Sequence, residues 1–445
     1  MRKIFTVLLS LMLLTSCSSG FQTESLLSPP KLSAEQEAIY AALTRSVGER
    51  ITLKYPRSGQ YRSAVTVADI DGDGGTEAIA FYEREASINS AKTTNTANES
   101  PLRMNILDKN AAGDWYSVYD HTGVGTDVDR LIISPLGSSP TPLLTVGFIQ
   151  VSGSKTARIY SYVDNRLSGD FSDNYELCFT VDINRDSRYE LCLLHKSSND
   201  RDAFVSLVSV EGNLIYEWGS APLSKGAVDF PNIVSGALTA KTAALYIDSS
   251  NGEETRTDIV YSPAPGRLRN PMYLPESNLS DMTVRAAGLY SSDIDGDGLL
   301  EIPVTAPFPG YGNFSSVPES LQSVNWIYLD NYRLVKKYSS YYAADEGYAF
   351  LFPGRWDGVV TVRIDEETLE TVFVKYTPGA DLADMPELLR IAMTEGGNPG
   401  RIEDLDTYKH MVTKDNFDYY IKNTAPSDEP LSLTEAEINN SFRML

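Results

Sequence analysis

The sequence predicts an all-β chain built from repeated four-stranded units, and three observations carry that expectation. First, three segments align without gaps: "VTVADIDGDGGTEAIAF" (65–81), "CFTVDINRDSRYELCLL" (178–194) and "LYSSDIDGDGLLEIPVT" (289–305). Each is an apolar strand, an acidic turn and a second strand. Second, "LIISPLGSSPTPLLTV" (131–146) and "IVSGALTAKTAALYI" (233–247) keep the strand–loop–strand pattern without the acids, and "AFLFPGRWDGVVTV" (349–362) is a weaker sixth copy. Third, hairpin patterns such as "MNILDKNAAGDWYSVYD" and "NWIYLDNYRLVKKY" lie between the loops, with turn residues separating alternating apolar runs. One sheet cannot bury both of its faces, whereas a ring of such sheets buries each between two neighbours. The expected architecture is therefore a β-propeller of seven blades, with six as the alternative, and short flanking helices.

Taken in order, the chain opens "MRKIFTVLLSLMLLTSC". Two positive residues precede an apolar run too short to span a bilayer, which marks an export signal. The run ends at Leu14-Thr15-Ser16-Cys17 and resembles the lipobox of bacterial lipoproteins. That resemblance implies cleavage after residue 16 and a lipid on Cys17, which would hold the chain on the bacterial cell membrane, facing outside the cytoplasm. Residues 17–32 then read as a flexible tether. "SAEQEAIYAALTRSVG" (33–48) reads as a helix, with Ser33 and Gln36 as a capping box and Gly48 as its stop. The propeller is expected over 49–425. "RITLKYP" (50–56) is placed as a strand closing the last blade, which lies at 385–424. "SINSAKTTNTANES" (87–100) reads as a polar insertion. The tail, 426–445, is expected to be a helix that starts with Ser432 and Glu435.

The acidic turns carry the chemistry. Calcium takes six to eight oxygens at about 2.3–2.6 Å from carboxylates and backbone carbonyls. Loop positions 1, 3, 5, 7 (through its carbonyl) and 9 form such a set. In the first loop these are Asp69, Asp71, Asp73, Gly75 and Glu77; in the third they are Asp293, Asp295, Asp297, Leu299 and Glu301. Gly74 and Gly298 at position 6 permit a positive φ. The middle loop offers Asp182, Asn184, Asp186, Arg188 and Glu190, with Ser187 in place of the glycine. Arg185 and Arg188 supply guanidinium groups there that can substitute for an ion. Without a cation, like charges about 4 Å apart cost up to roughly 4 kcal/mol per pair at an effective dielectric of 20. Ile70, Ile183 and Ile294 hold loop position 2 in every acidic copy, so that side chain is expected to point inward and pin the turn. Leu136 and Leu238 stand at the same place in the copies without acids. An EF-hand is excluded: its glutamate stands at position 12 and helices flank it.

These D-x-D-x-D-G-x-x-E turns between strands resemble the FG-GAP or VCBS repeats of integrin-alpha-type propellers. The resemblance implies a calcium-stabilised propeller that acts as an extracellular binding or adhesion module. Alternate copies lack the acids, and the Phe-Gly…Gly-Ala-Pro signature is missing, so an integrin-like role does not carry over.

The formal net charge of −22, about −24 once Arg2 and Lys3 leave with the signal, excludes nucleic acid as a partner. His121, His195 and His410 show no metal-ligand spacing. Ser152-Gly-Ser-Lys155 with Ser172-Asp173-Asn174 is a chance echo of penicillin-recognising enzymes, since no K-T-G follows. Cys178 and Cys192 occupy slots that are apolar in the other copies, which favours core thiols over a disulfide. The aromatic stretches 308–314 and 339–348 fit strand and loop packing better than a binding rim. The expected function is a calcium-binding module for a cell-envelope protein or polysaccharide, touching the membrane through its lipid alone. The alternative is a polysaccharide lyase or hydrolase on the same scaffold.

Overall fold

The computed structural model describes residues 33–84, 100–239, 242–312, 321–330, 332–396, 398 and 400–445. The export signal, Cys17, the tether, nearly all of the 87–100 insertion and part of the 308–314 stretch lie outside the described residues. The described chain is nearly all β and forms six antiparallel sheets of four or five strands.

The first sheet holds β1 (Ile51–Lys54), β2 (Val65–Ala68), β3 (Glu77–Arg84), β4 (Leu102–Lys109) and β5 (Trp115–Thr122). The second holds β6 (Asp127–Ser134), β7 (Leu143–Ile149), β8 (Lys155–Val163) and β9 (Arg166–Tyr175). The third holds β10 (Leu177–Val181), β11 (Glu190–His195), β12 (Phe204–Glu211) and β13 (Leu214–Pro222). The fourth comprises β14 (Asp229–Thr239), β15 (Thr242–Ser250), β16 (Glu254–Ala264), β17 (Arg267–Arg269) and β18 (Arg285–Ala286). The fifth comprises β19 (Ile302–Pro307), β20 (Gln322–Asp330), β21 (Arg333–Ala343) and β22 (Tyr348–Leu351), and the sixth comprises β23 (Val360–Ile364), β24 (Thr371–Lys375), β25 (Glu387–Glu395), β26 (Lys409–Lys414) and β27 (Phe417–Asn423). A final strand, β28 (Phe442–Met444), adds to the edge of the fifth sheet beside β22.

Neighbouring sheets are joined through apolar side chains. One cluster unites Ile79, Phe81 and Met104 of the first sheet with Val146, Phe148 and Tyr160 of the second. Others join the second to the third through Ile159 and Leu193, the third to the fourth through Leu207 and Ile247, the fourth to the fifth through Tyr246 and Ile302, and the fifth to the sixth through Phe350 and Phe373. Among the described residues no cluster joins the first sheet to the sixth. The free face of the first sheet is instead covered by α1 (Ala34–Val47), whose Ile39, Ala42 and Leu43 pack on Val65, Ala80 and Tyr82. Helix α1 starts and stops as its sequence requires: Ser33 and Gln36 form the capping box, and Gly48 ends it at φ 74°.

Several expected boundaries shift. The strand at 50–56 pairs with β3 of the first sheet, not with the last blade, because its register continues the edge where β2 stops. The weaker sixth copy, 349–362, is split: its two strands end the fifth sheet and begin the sixth. The tail helix α2 (Glu435–Ser441) is capped by Thr434 with Glu437, two residues later than the pair Ser432 and Glu435, and the chain finishes as β28 rather than as helix. Cys178 and Cys192 are buried free thiols. They pair with Leu193 and Phe179, and neighbouring positions on a strand face opposite ways, so the two sulfurs enter different interfaces.

The fourth sheet buries charge. Arg285 donates to Asp248 at 2.7 Å, with both side chains fully enclosed. Asp248 also accepts from Thr257, Ser291 and Asn232, which ties the 285–291 segment to β15. Removing one member of a buried pair strands the other charge, at a cost of about 3–5 kcal/mol. Arg285→Met is therefore expected to lower the unfolding free energy by about that much in urea titration. An unchanged midpoint would show that the pair is dispensable.

Candidate metal centre

The three acidic turns fold alike. In the first, Asp69 accepts from the N–H groups of Gly72 and Gly74, Asp71 from that of Asp73, and Asp73 from that of Gly75. In the third, Asp293 accepts from Gly296, Asp297 and Gly298, Asp295 from Asp297, and Asp297 from Leu299. The middle turn repeats the pattern: Asp182 accepts from Asp186 and Ser187, Asn184 from Asp186, and Asp186 from Arg188. Positive φ recurs at position 6, as glycine spacing suggests, and also at position 4: Gly72 and Gly296 in the outer copies. The middle turn forces Arg185 and Ser187 into that left-handed region at φ 59° and 68°, which costs of order 1 kcal/mol each.

The residue at position 2 does two jobs. Its side chain enters the core between its own sheet and the next: Ile70 and Ile183 are buried among those clusters, and Leu136 and Leu238 do the same in the copies without acids. Ile294 packs against Trp326 of its own sheet. Its backbone N–H meets the glutamate at position 9: Ile70 donates to Glu77 at 2.9 Å and Ile294 to Glu301 at 3.1 Å. That glutamate opens or directly precedes the strand after the turn, and Glu77, Glu190 and Glu301 are all buried. A fourth, Glu370, stands before β24 in the sixth sheet and is also buried. The sequence comparison missed it because its turn is shorter than the acidic ones.

The four glutamates meet different partners. In the first turn, ligand oxygens of Asp69, Asp71 and Glu77 lie within 4.8 Å of one another. Burial raises the Glu77 pKa, with Asp71, Asp108 and Asp73 adding to the rise. The site therefore concentrates negative charge, while Asp73 remains exposed at its edge. These hard oxygens suit calcium, and the residues fit the ion.

In the third turn Asp293, Asp295 and Asp297 converge similarly. Here, however, the Lys337 ammonium on β21 stands among them, 2.8 Å from Asp295, 2.6 Å from Asp297 and 2.9 Å from Glu301. Tyr338 donates to Asp295 at 2.9 Å. In the sixth sheet Arg390 holds Glu370 at 2.7 Å and Asp365 at 3.2 Å, and Tyr408 donates to Glu370 at 2.7 Å.

The middle turn is different again. Among the described residues its acids form no convergent group. The Asn184 amide donates to Asp186 at 2.9 Å, and one oxygen of Glu190 has no hydrogen-bond partner. Burial first, then Asp186 and Asp182, push the Glu190 pKa up to about 7, against a weaker opposing pull from Arg188. For this turn the sequence leaves open an ion or a guanidinium from Arg185 or Arg188; the ion pairs to turn glutamates in the structure come from Lys337 and Arg390 in other sheets. Both lie on strands distant in sequence from the turns they serve, so turn composition gave no signal for them.

No family model matches the sequence, and no curated protein matches it. Among solved structures, the crystal structure of exotype rhamnogalacturonan lyase YesX shares 12% identity at a TM-score of 0.26, covering 74% of this chain and 62% of the lyase. The chain thus spans less than two thirds of that protein, and a likeness this loose carries no argument about either molecule's activity.

The Glu190 geometry sets a pH expectation. A carboxyl whose folded pKa exceeds its unfolded value favours the folded state at low pH. That advantage disappears as pH climbs from the unfolded value near 4.5 through about 7. Glu190→Gln should therefore raise the unfolding free energy by roughly 1–3 kcal/mol at pH 8 and leave it nearly unchanged at pH 4.5. Equal effects at both pH values would contradict the assignment.

Proposed function

We propose that this chain is a lipid-anchored, extracytoplasmic calcium-binding module, its six sheets the blades of a propeller-like array. Its partner is a protein or polysaccharide of the cell envelope. The observation that carries the metal reading is the convergence of Asp69, Asp71 and Glu77 within 4.8 Å around a buried carboxylate. Face-to-face packing of successive sheets supports the blade reading, and the Leu14–Cys17 motif supports the anchor. The ion's role is structural. It ties the β2–β3 turn to the interface with the second sheet, where Ile70 is already seated. With an affinity of about 0.1 mM and about 1 mM free calcium, the site adds roughly 1.4 kcal/mol.

Calorimetric titration of calcium into the EDTA-treated mature protein should show uptake, and Asp71→Asn should abolish it. Calcium should raise the melting temperature by about 1–2 °C. No heat and no thermal shift would reject the metal reading. For the partner, envelope polysaccharides should be retained without release of reducing ends or unsaturated uronides. Release of either would favour the lyase or hydrolase alternative.

A further inference from the structure

We infer that the turn at 293–301 carries its own cation, the Lys337 ammonium, and that a divalent ion enters the turn at 69–77 instead. The inference rests on the calcium reading of that first turn and fixes where, and how many times, the ion binds.

The geometry of the third turn carries the argument. An ammonium has three N–H donors, and Lys337 directs them at Asp295, Asp297 and Glu301 at 2.6–2.9 Å. Those are oxygens that a calcium ion would need at 2.3–2.6 Å. Ammonium and ion cannot share that space.

Strand register explains why, among the described residues, the first turn lacks such a group. In the first sheet Ala78 pairs with Leu107; Leu107 then pairs with Ser117 and Ile106 with Tyr119, leaving Val118 as the extra residue of a β-bulge. In the fifth sheet Ile302 pairs with Ile327; Ile327 pairs with Lys336 and Trp326 with Tyr338, leaving Lys337 in the same role. The third sheet repeats the bulge with Trp218 between Glu217 and Gly219. In each case the turn glutamate directly precedes the first residue of this register. Bulges re-aim a side chain out of the ladder, and here one bulge position holds valine, tryptophan and lysine in turn. The lysine copy supplies the charge from within the chain. The valine copy leaves the carboxylates to an outside cation. Arg390 answers Glu370 in the sixth sheet from a different strand, a second turn glutamate met by a cation of the chain itself.

A reciprocal exchange at the bulge tests this, with calcium titrated calorimetrically into EDTA-treated full-length mature protein. Wild type should bind one ion. Lys337→Val should bind two, the second lost again in Lys337→Val with Asp293→Asn. Val118→Lys should bind none. Circular dichroism and the urea midpoint confirm that each variant is folded, and Lys337→Met provides a second route should the valine variant fail to fold. Two ions in wild type, or an unchanged count in both Lys337 variants, would overturn the inference. No ion in wild type but one in Lys337→Val would support the lysine's role while rejecting the calcium reading of the first turn.

Discussion

A buried carboxylate at the mouth of a turn is the constraint on which this structure is organised. Glu77, Glu190, Glu301 and Glu370 each stand at or directly before the start of the strand that follows their turn and lie almost wholly out of water. In the first and third turns the carboxylate fastens the backbone of the isoleucine two places into the turn. Ile70 in turn fills the interface of the first and second sheets, and Ile294 packs on its own sheet. The arrangement couples turn closure to core packing, but it places a negative charge where solvent cannot stabilise it. The copies differ in what faces that charge: burial with Asp186 and Asp182 raises the Glu190 pKa to about 7, the Lys337 ammonium meets Glu301, the Arg390 guanidinium meets Glu370, and Glu77 faces Asp69 and Asp71, where we propose a divalent ion.

The sheets around these turns form a sequence of shared interfaces whose two ends are finished differently. At the first sheet, α1 supplies the apolar surface that another sheet would otherwise provide. At the other end, α2 and β28 fold back over the interface of the fifth and sixth sheets, with Ile438 and Phe442 joining Tyr348, Phe350 and Phe373. Helix α1 therefore covers a sheet face and β28 a sheet edge, the latter a means of preventing edge-to-edge association. The fourth sheet lacks an acidic turn, and its polar demand is met inside the sheet. Asp248 and Asp258 are saturated by hydroxyl, amide and, for Asp248, guanidinium donors.

Much of this was legible in the sequence because it depends on local patterns. Alternating apolar runs gave the strands, Ser33 with Gln36 and Gly48 bounded α1, and the inward isoleucine was visible from its recurrence. The apolar residues in the matching slots of the other copies mark Cys178 and Cys192 as core residues. What escaped notice depends on pairing between distant segments. The edge strand at 51–54 chose the first sheet because β2 covers only half of β3, a fact no local window contains. Lys337 and Arg390 read as ordinary strand residues until the bulge register and the facing turns are known. The helix at 435–441 was displaced by two residues because Ser432–Glu435 and Thr434–Glu437 present equivalent capping patterns, and only the second fits the chain's return to the fifth sheet.

The central claim is that internal and external cations divide these turns between them. Anomalous diffraction from crystals soaked in a lanthanide, which takes the same oxygen ligands as calcium, tests it most directly. The account requires a strong peak bounded by Asp69, Asp71 and Glu77, and undisturbed Lys337 density among Asp295, Asp297 and Glu301. A peak between Asp293 and Asp297 with Lys337 swung away, or no peak in the first turn, would contradict it.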